Sequence, residues 1–177
     1  MQIGDKLPDF NLLCADGNWY TQFSFADKYA LAIVFTCNSC NISKAYGQRL
    51  IDIFHQFEED NLGILGINSN DAEKSPEDGY DEMVTISSKL HLPELHFRYL
   101  HDPTQDVAKR FGAKVNPEVF LFNSKRELVY KGAIDDCWDN EAMVTQIWLE
   151  DAIDYALDGV EVDYPEIDPI GCPIIWK

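Results

Sequence analysis

The run Tyr29–Lys44, YALAIVFTCNSCNISK, constrains the fold more than any other part of the chain. Eight residues from Tyr29 to Thr36 are nearly all apolar, which suits a strand buried on both faces. Beyond them Ile42, Tyr46, Leu50, Ile53, Phe54 and Phe57 recur at helical spacing. Cys37 and Cys40 therefore fall where a central strand turns into a helix. Unpaired N–H groups and the positive end of the helix dipole lie at such a junction. A thiolate there is stabilised, and its pKa is expected below the ~8.5 of a free cysteine. On this reading Cys37 is exposed and attacks, while Cys40, one turn further in, is close enough to pair with it. Such a site exchanges disulfides.

The remaining elements follow from pattern and punctuation. Residues 9–23 alternate around Ala15-Asp16-Gly17-Asn18, which predicts a hairpin ahead of the main fold. Ser24–Lys28 reads as a connector of about one helical turn. The helix after the cysteines runs from Asn41 to about Glu59. It contains Gly47, at a cost of about 1 kcal/mol against alanine, read as permitting a close approach or a kink. Leu62–Ile67 is a second apolar strand, and the intervening helix makes a right-handed parallel β-α-β unit. Asn68–Gly79 is polar and broken by Pro76 and Gly79. A helix over Tyr80–His91 ends before Pro93, a strand covers Phe97–Leu100, and Thr104 caps a helix closed by Gly112. Glu118–Phe122 and Leu128–Lys131 are joined too closely for a crossover, so they pair antiparallel. A last helix covers about Glu141–Asp158. The tail, marked by Pro165, Pro169 and Pro173, ends in GCPIIWK, apolar enough to pack on the body. The fold class is α/β, a mixed central sheet with helices on both faces and an N-terminal β-hairpin extension. Residues 1–160 make one domain and 161–177 a tail packed on it.

Composition narrows the function. A chain of 177 residues buries a sufficient core without disulfides. The N-terminal MQIGDKLPDF has neither a basic nor an apolar leader region, and no apolar stretch approaches the ~18 residues of a membrane helix. A cytoplasmic location is expected, with no membrane partner. There a Cys-x-x-C pair is redox-active or metal-binding rather than structural. The formal net charge of −17 argues against nucleic acid as a partner. Twelve acids and no Lys or Arg lie between Asp135 and Asp168, a solvated face or a surface for a basic partner.

A strand–C-x-x-C–helix unit with Pro117 just before the antiparallel strand pair resembles the thioredoxin fold. In that fold the proline is cis and faces the cysteine pair, which implies Pro117 beside Cys37. The front hairpin and the insertion before the last strands resemble the redoxin branch. That branch holds peroxiredoxins of the alkyl hydroperoxide reductase/thiol-specific antioxidant type and related thiol–disulfide reductases. The runs NSNDAEKSPED, TQDVAKRFGA, NPEVFLF, GAIDD and the terminal GC-x-I-x-W are similar to one group within it. The resemblance implies that Thr36, Asn38, Ser39, Asn116 and Pro117 face the substrate. Three features depart from thioredoxin: Thr36 precedes the pair, Asn38-Ser39 lie within it, and Asn116 stands where Thr is common. The preceding strand also lacks a buried acid, since Tyr29–Phe35 holds no Asp or Glu.

Three functions compete on these residues. The first is a thiol–disulfide oxidoreductase in which Cys37 attacks a protein or small-molecule disulfide, Cys40 resolves it, and a separate thiol reductant restores the pair. No cofactor is required. The second is a peroxidase, against which the motif P-x-x-x-T-x-x-C fails: Ala30 and Val34 stand in place of Pro and Thr before Cys37, and Ile33 and Cys37 before Cys40. The third is a metal-binding or redox-inert module. Zinc needs four ligands and the pair supplies two; His55, His91, His96 and His101 have no ligand spacing, so no metal site is assigned. Cys172 is either an alternative resolving or regulatory thiol able to reach Cys37, or an inert buried cysteine. Cys14 reads as a small buried apolar residue and Cys137, beside acids, as passive.

Overall fold

The computed structural model describes every residue except 93, 94 and 96. The expected stop at Pro93 and the residue His96 thus lie outside the described residues. β3 (Ala30–Phe35) is buried along its whole length, as its unbroken apolar run requires. It pairs in parallel with β4 (Leu62–Asn68), and the crossover is α1 (Asn41–Phe57). On its other side it pairs antiparallel with β7 (Glu118–Phe122), which continues into β8 (Leu128–Gly132). β5 (Arg98–His101) extends the sheet beyond β4. The hairpin β1 (Asn11–Cys14) and β2 (Trp19–Thr21) is joined to it, because β1 pairs with β5.

α1, α2 (Tyr80–Lys89) and α4 (Trp148–Asp158) cover one face, packing on Ala30, Ala32 and Val34. α3 (Asp106–Phe111) covers the other, where Phe111 meets Phe35 and Phe120 edge-on. The mixed sheet with helices on both faces is the architecture the sequence implied.

Two expected boundaries move for local reasons. α3 begins after Gln105, at φ 65°, and not directly after Thr104; Thr104 Oγ1 accepts from Asp106 N at 3.4 Å and the Asp102 carboxylate from Ala108 N at 3.0 Å, so the two share the capping. The last helix begins at Trp148 rather than Glu141. Asp136 accepts from the backbone N–H groups of Thr145 and Gln146, which fixes that segment in a loop.

The tail is more regular than its prolines suggested. β9 (Glu166–Ile167) runs parallel to β8. β10 (Cys172–Pro173) then pairs antiparallel with β6 (Val115–Asn116), placing Cys172 opposite Asn116. Ile174 is buried in the second core cluster. Gly171 permits the approach, since a Cβ there would stand 2.6 Å from the Asn116 carbonyl oxygen.

The acidic C-terminal third is not all solvated. Asp135 is buried and accepts from Arg49 Nη1 at 2.7 Å and from the Tyr46 hydroxyl at 2.7 Å. Arg49 also donates to the carbonyls of Cys137 and Trp138. Removing one partner strands a buried charge. Arg49→Met is expected to lower the unfolding free energy by about 3 kcal/mol in urea titration; a loss below about 1 kcal/mol would place the pair with ordinary surface bridges.

Candidate active site

The turn Thr36–Cys40 links β3 to α1, and Cys40 is the N-cap of the helix. Cys37 therefore lies outside the helix and not in its first turn. It is only 5% exposed, against the expectation of an exposed nucleophile.

Asp78, which reading the sequence did not single out, organises this turn. It closes a short 3-10 turn, Pro76–Asp78, and is fully buried. One carboxylate oxygen accepts from the N–H groups of Asn38 (2.6 Å) and Ser39 (3.2 Å) and from Asn68 Nδ2 (3.2 Å). The other accepts from Ser39 Oγ (2.6 Å), Ser75 Oγ (2.7 Å) and Asn70 Nδ2 (2.9 Å). Burial alone raises the Asp78 pKa, but the bonds from Ser39, Asn70, Ser75 and Asn38 outweigh it and hold the carboxyl below its usual range. A buried anion thus stands beside the cysteines, supplied by the turn after β4 and not by the strand before the pair.

The consequence for Cys37 reverses the expected direction. Burial and then the Asp78 charge push its thiol above the ordinary cysteine value, despite lowering contacts from Ser39 and backbone N–H groups. Ser39 Oγ lies 3.7 Å from Cys37 Sγ. The same hydroxyl also donates to Asp78 at 2.6 Å.

Asn38, expected to face substrate, is turned inward. Its amide donates to Glu77 O at 2.8 Å and its carbonyl accepts from the Tyr99 hydroxyl at 2.9 Å. Ser39 is partly buried and tied to Asp78. Asn116 is buried as well, its amide donating to Asn70 Oδ1 at 3.1 Å. The Asn116–Pro117 peptide is cis, and Cys40 Sγ lies 3.2 Å from the Asn116 carbonyl oxygen. The proline and the cysteine turn therefore meet, at Cys40.

The pairing of the cysteines differs from the expectation. Cys40 is bonded to Cys172, across 132 residues, and Cys37 is a free thiol. The β10–β6 register is the reason: it sets Cys172 opposite Asn116, whose carbonyl adjoins Cys40. Cys172 thus reaches Cys40 and not Cys37. Cys14 is buried, its thiol pushed up to about 11 by burial. Burial and then Asp139 raise Cys137. Both fit a passive role. Among the described residues no three His, Cys, Asp or Glu side chains are grouped to hold a metal ion, and no helix is long and apolar enough to cross a membrane.

On the α1 side of the turn a cavity of about 300 Å³ opens beside Cys37 and Thr36, between α1, α2 and β5. Gly47 lines it. A Cβ at Gly47 would meet nothing within 4 Å, so no close approach accounts for this glycine.

Comparison with known proteins agrees with this architecture. The profile of the AhpC/TSA family matches residues 3–131. A hypothetical protein from Sinorhizobium meliloti 1021 is 33% identical, with a TM-score of 0.91 over 100% of this chain and 96% of that one. An uncharacterized conserved protein from Geobacillus kaustophilus is also 33% identical, TM-score 0.91, over 99% and 93% of the two chains. The exposed lipoprotein thioredoxin of Streptococcus pneumoniae strain TIGR4 shares the fold at 18% identity, with a TM-score of 0.63 over 86% and 100%. No curated protein matches. The sheet order, the cysteine turn facing a cis proline and the matched span make this chain a thioredoxin-like member of the AhpC/TSA family.

Proposed function

We propose that the protein is a thiol–disulfide oxidoreductase in which three cysteines act in series. The observation that carries this is the state of the site: Cys40 is held by Cys172 while Cys37, three residues away, is a free thiol beside a cavity. Starting from three thiols, the Cys37 thiolate attacks a substrate disulfide R–S–S–R. A Cys37–S–R bond forms, the substrate bond breaks, and R–S⁻ leaves to take a proton from water. Cys40 attacks Cys37 Sγ, forming Cys37–Cys40 and releasing the second R–S⁻. Cys172 then attacks Cys40 Sγ, which forms Cys40–Cys172 and returns Cys37 as a thiol. Two electrons pass from the protein to the substrate, and an external dithiol restores Cys40 and Cys172. Cys172, partly exposed at the surface, is the natural entry for that reductant.

In the Cys40–Cys172 state the raised pKa of Cys37 suits this order. A thiol disfavoured as a thiolate rests as the protonated form beside the finished disulfide and attacks it only slowly. We place the protein in the cytoplasm, where a thiol pool for recycling is at hand. The partners are a disulfide-containing substrate and a separate thiol reductant.

Cysteine mapping after equilibration in thiol–disulfide buffers tests the series. The oxidised chain is expected to hold Cys40–Cys172 with Cys37 alkylatable, and the Cys172→Ser variant to hold Cys37–Cys40 instead. An oxidised wild-type chain with Cys37–Cys40 bonded and Cys172 free would refute it.

The pH dependence follows from the shift. Because the folded pKa of Cys37 lies above the ordinary thiol value, its alkylation rate in the oxidised protein is expected to climb about tenfold per pH unit from pH 7 through 8.5 without levelling. Asp78→Asn removes the raising charge, so the curve should move to lower pH. A plateau below pH 8 in the wild type would contradict the assignment.

A further inference from the structure

We propose that the cavity beside Cys37 is the substrate site and that its substrate is a small, apolar disulfide. The inference rests on the disulfide-exchange reading above and adds what the exchange acts on.

Two approaches to the cysteine turn exist, and one is taken. An extended polypeptide would add to the free edge of β6 next to Pro117. The chain's own β10 occupies that edge. Its hold does not depend on the disulfide: Ile174 N donates to Lys114 O, Ile175 N to Asn70 Oδ1, and Ile175 O accepts from Asp71 N and Gln105 Nε2. These contacts are separate from the disulfide and remain available to keep the edge covered when Cys40 and Cys172 are reduced.

The other approach is the cavity. Its walls include Leu50, Ile51, Leu92 and Phe97, Lys44 and Lys89 also line it, and Cys37 forms part of its lining. At about 300 Å³ it stands at the lower end of ligand pockets, suited to a small molecule. Two features show a site kept open. Gly47, in the middle of α1, faces open space, since a Cβ there would meet nothing within 4 Å. Ser43, 5% exposed and also in the lining, has a hydroxyl with no hydrogen-bond partner among the described residues. A buried hydroxyl without a partner calls for an occupant able to accept its proton. The sulfur of the departing R–S⁻ is such an acceptor, formed where Cys37 attacks. Strongly polar, uncharged disulfides would lose their hydration against the apolar wall.

The test uses two isosteric probes, di-n-propyl disulfide and bis(2-hydroxyethyl) disulfide, which differ only in methyl against hydroxyl ends. The second-order rate constant for oxidation of the reduced full chain is expected to be about tenfold or more higher for the propyl compound. Gly47→Leu, a substitution that favours the helix, fills the space and should bring the ratio close to one. A wild-type ratio of one or less, or a ratio unchanged by Gly47→Leu, overturns the cavity as substrate site and leaves the exchange reading standing. If neither probe oxidises the protein, the exchange reading itself fails. The cavity is then judged by calorimetry on the Cys37→Ser chain. Binding of di-n-propyl disulfide that Gly47→Leu abolishes supports it, and no binding overturns it. Faster oxidation by cumene hydroperoxide than by di-n-propyl disulfide would overturn the substrate class.

Discussion

One buried carboxylate holds the site together. Asp78 receives hydrogen bonds from both residues between the cysteines and from Asn68, Asn70 and Ser75. Asn70 in turn accepts from Asn116 and from the backbone of Ile175. The cysteine turn, the strand before Pro117 and the C-terminal tail are thus linked through a single ion. A buried anion survives only where its hydrogen bonds are nearly complete, so each member of this network constrains the others. The Cys40–Cys172 disulfide closes the same circle covalently.

The network also sets the chemistry. A dipole at a helix start favours a thiolate, and that effect alone would make Cys37 reactive. Here burial and the Asp78 charge oppose it and prevail. The C-x-x-C spacing at a helix start therefore does not by itself fix which way the Cys37 pKa moves. With Cys40 drawn to Cys172, Cys37 rests as a thiol beside an apolar cavity. With Cys40 free, the two cysteines of the turn are neighbours again.

The strand, the cysteine turn and the helix were legible because a long apolar run and helical spacing flank Cys37 and Cys40 with no competing pattern. Pro117 was legible for the same reason, standing before two closely spaced apolar strands. The start of α4 was not, since Asp136 holds residues 145 and 146 through side-chain bonds that periodicity does not register. Asp78 was hidden in a polar segment, Asn68–Gly79, that reads like any surface loop. Only the fold turns its side chains inward to a common centre. The partner of Cys40 lay 132 residues away, and connectivity at that distance cannot be deduced from spacing. Gly47 reads in the sequence as a helix cost offset by a close approach or a kink, and spacing along a helix carries no sign of the open space beside it.

Rapid-quench trapping of one turnover tests the central claim most directly. Fully reduced protein is mixed with one equivalent of a small disulfide, quenched by acid at successive times, alkylated and mapped. The account predicts an adduct on Cys37 first, then Cys37–Cys40, then Cys40–Cys172, each decaying as the next rises. A first adduct on Cys172 or Cys40, or Cys40–Cys172 appearing with Cys37 never modified, would contradict it.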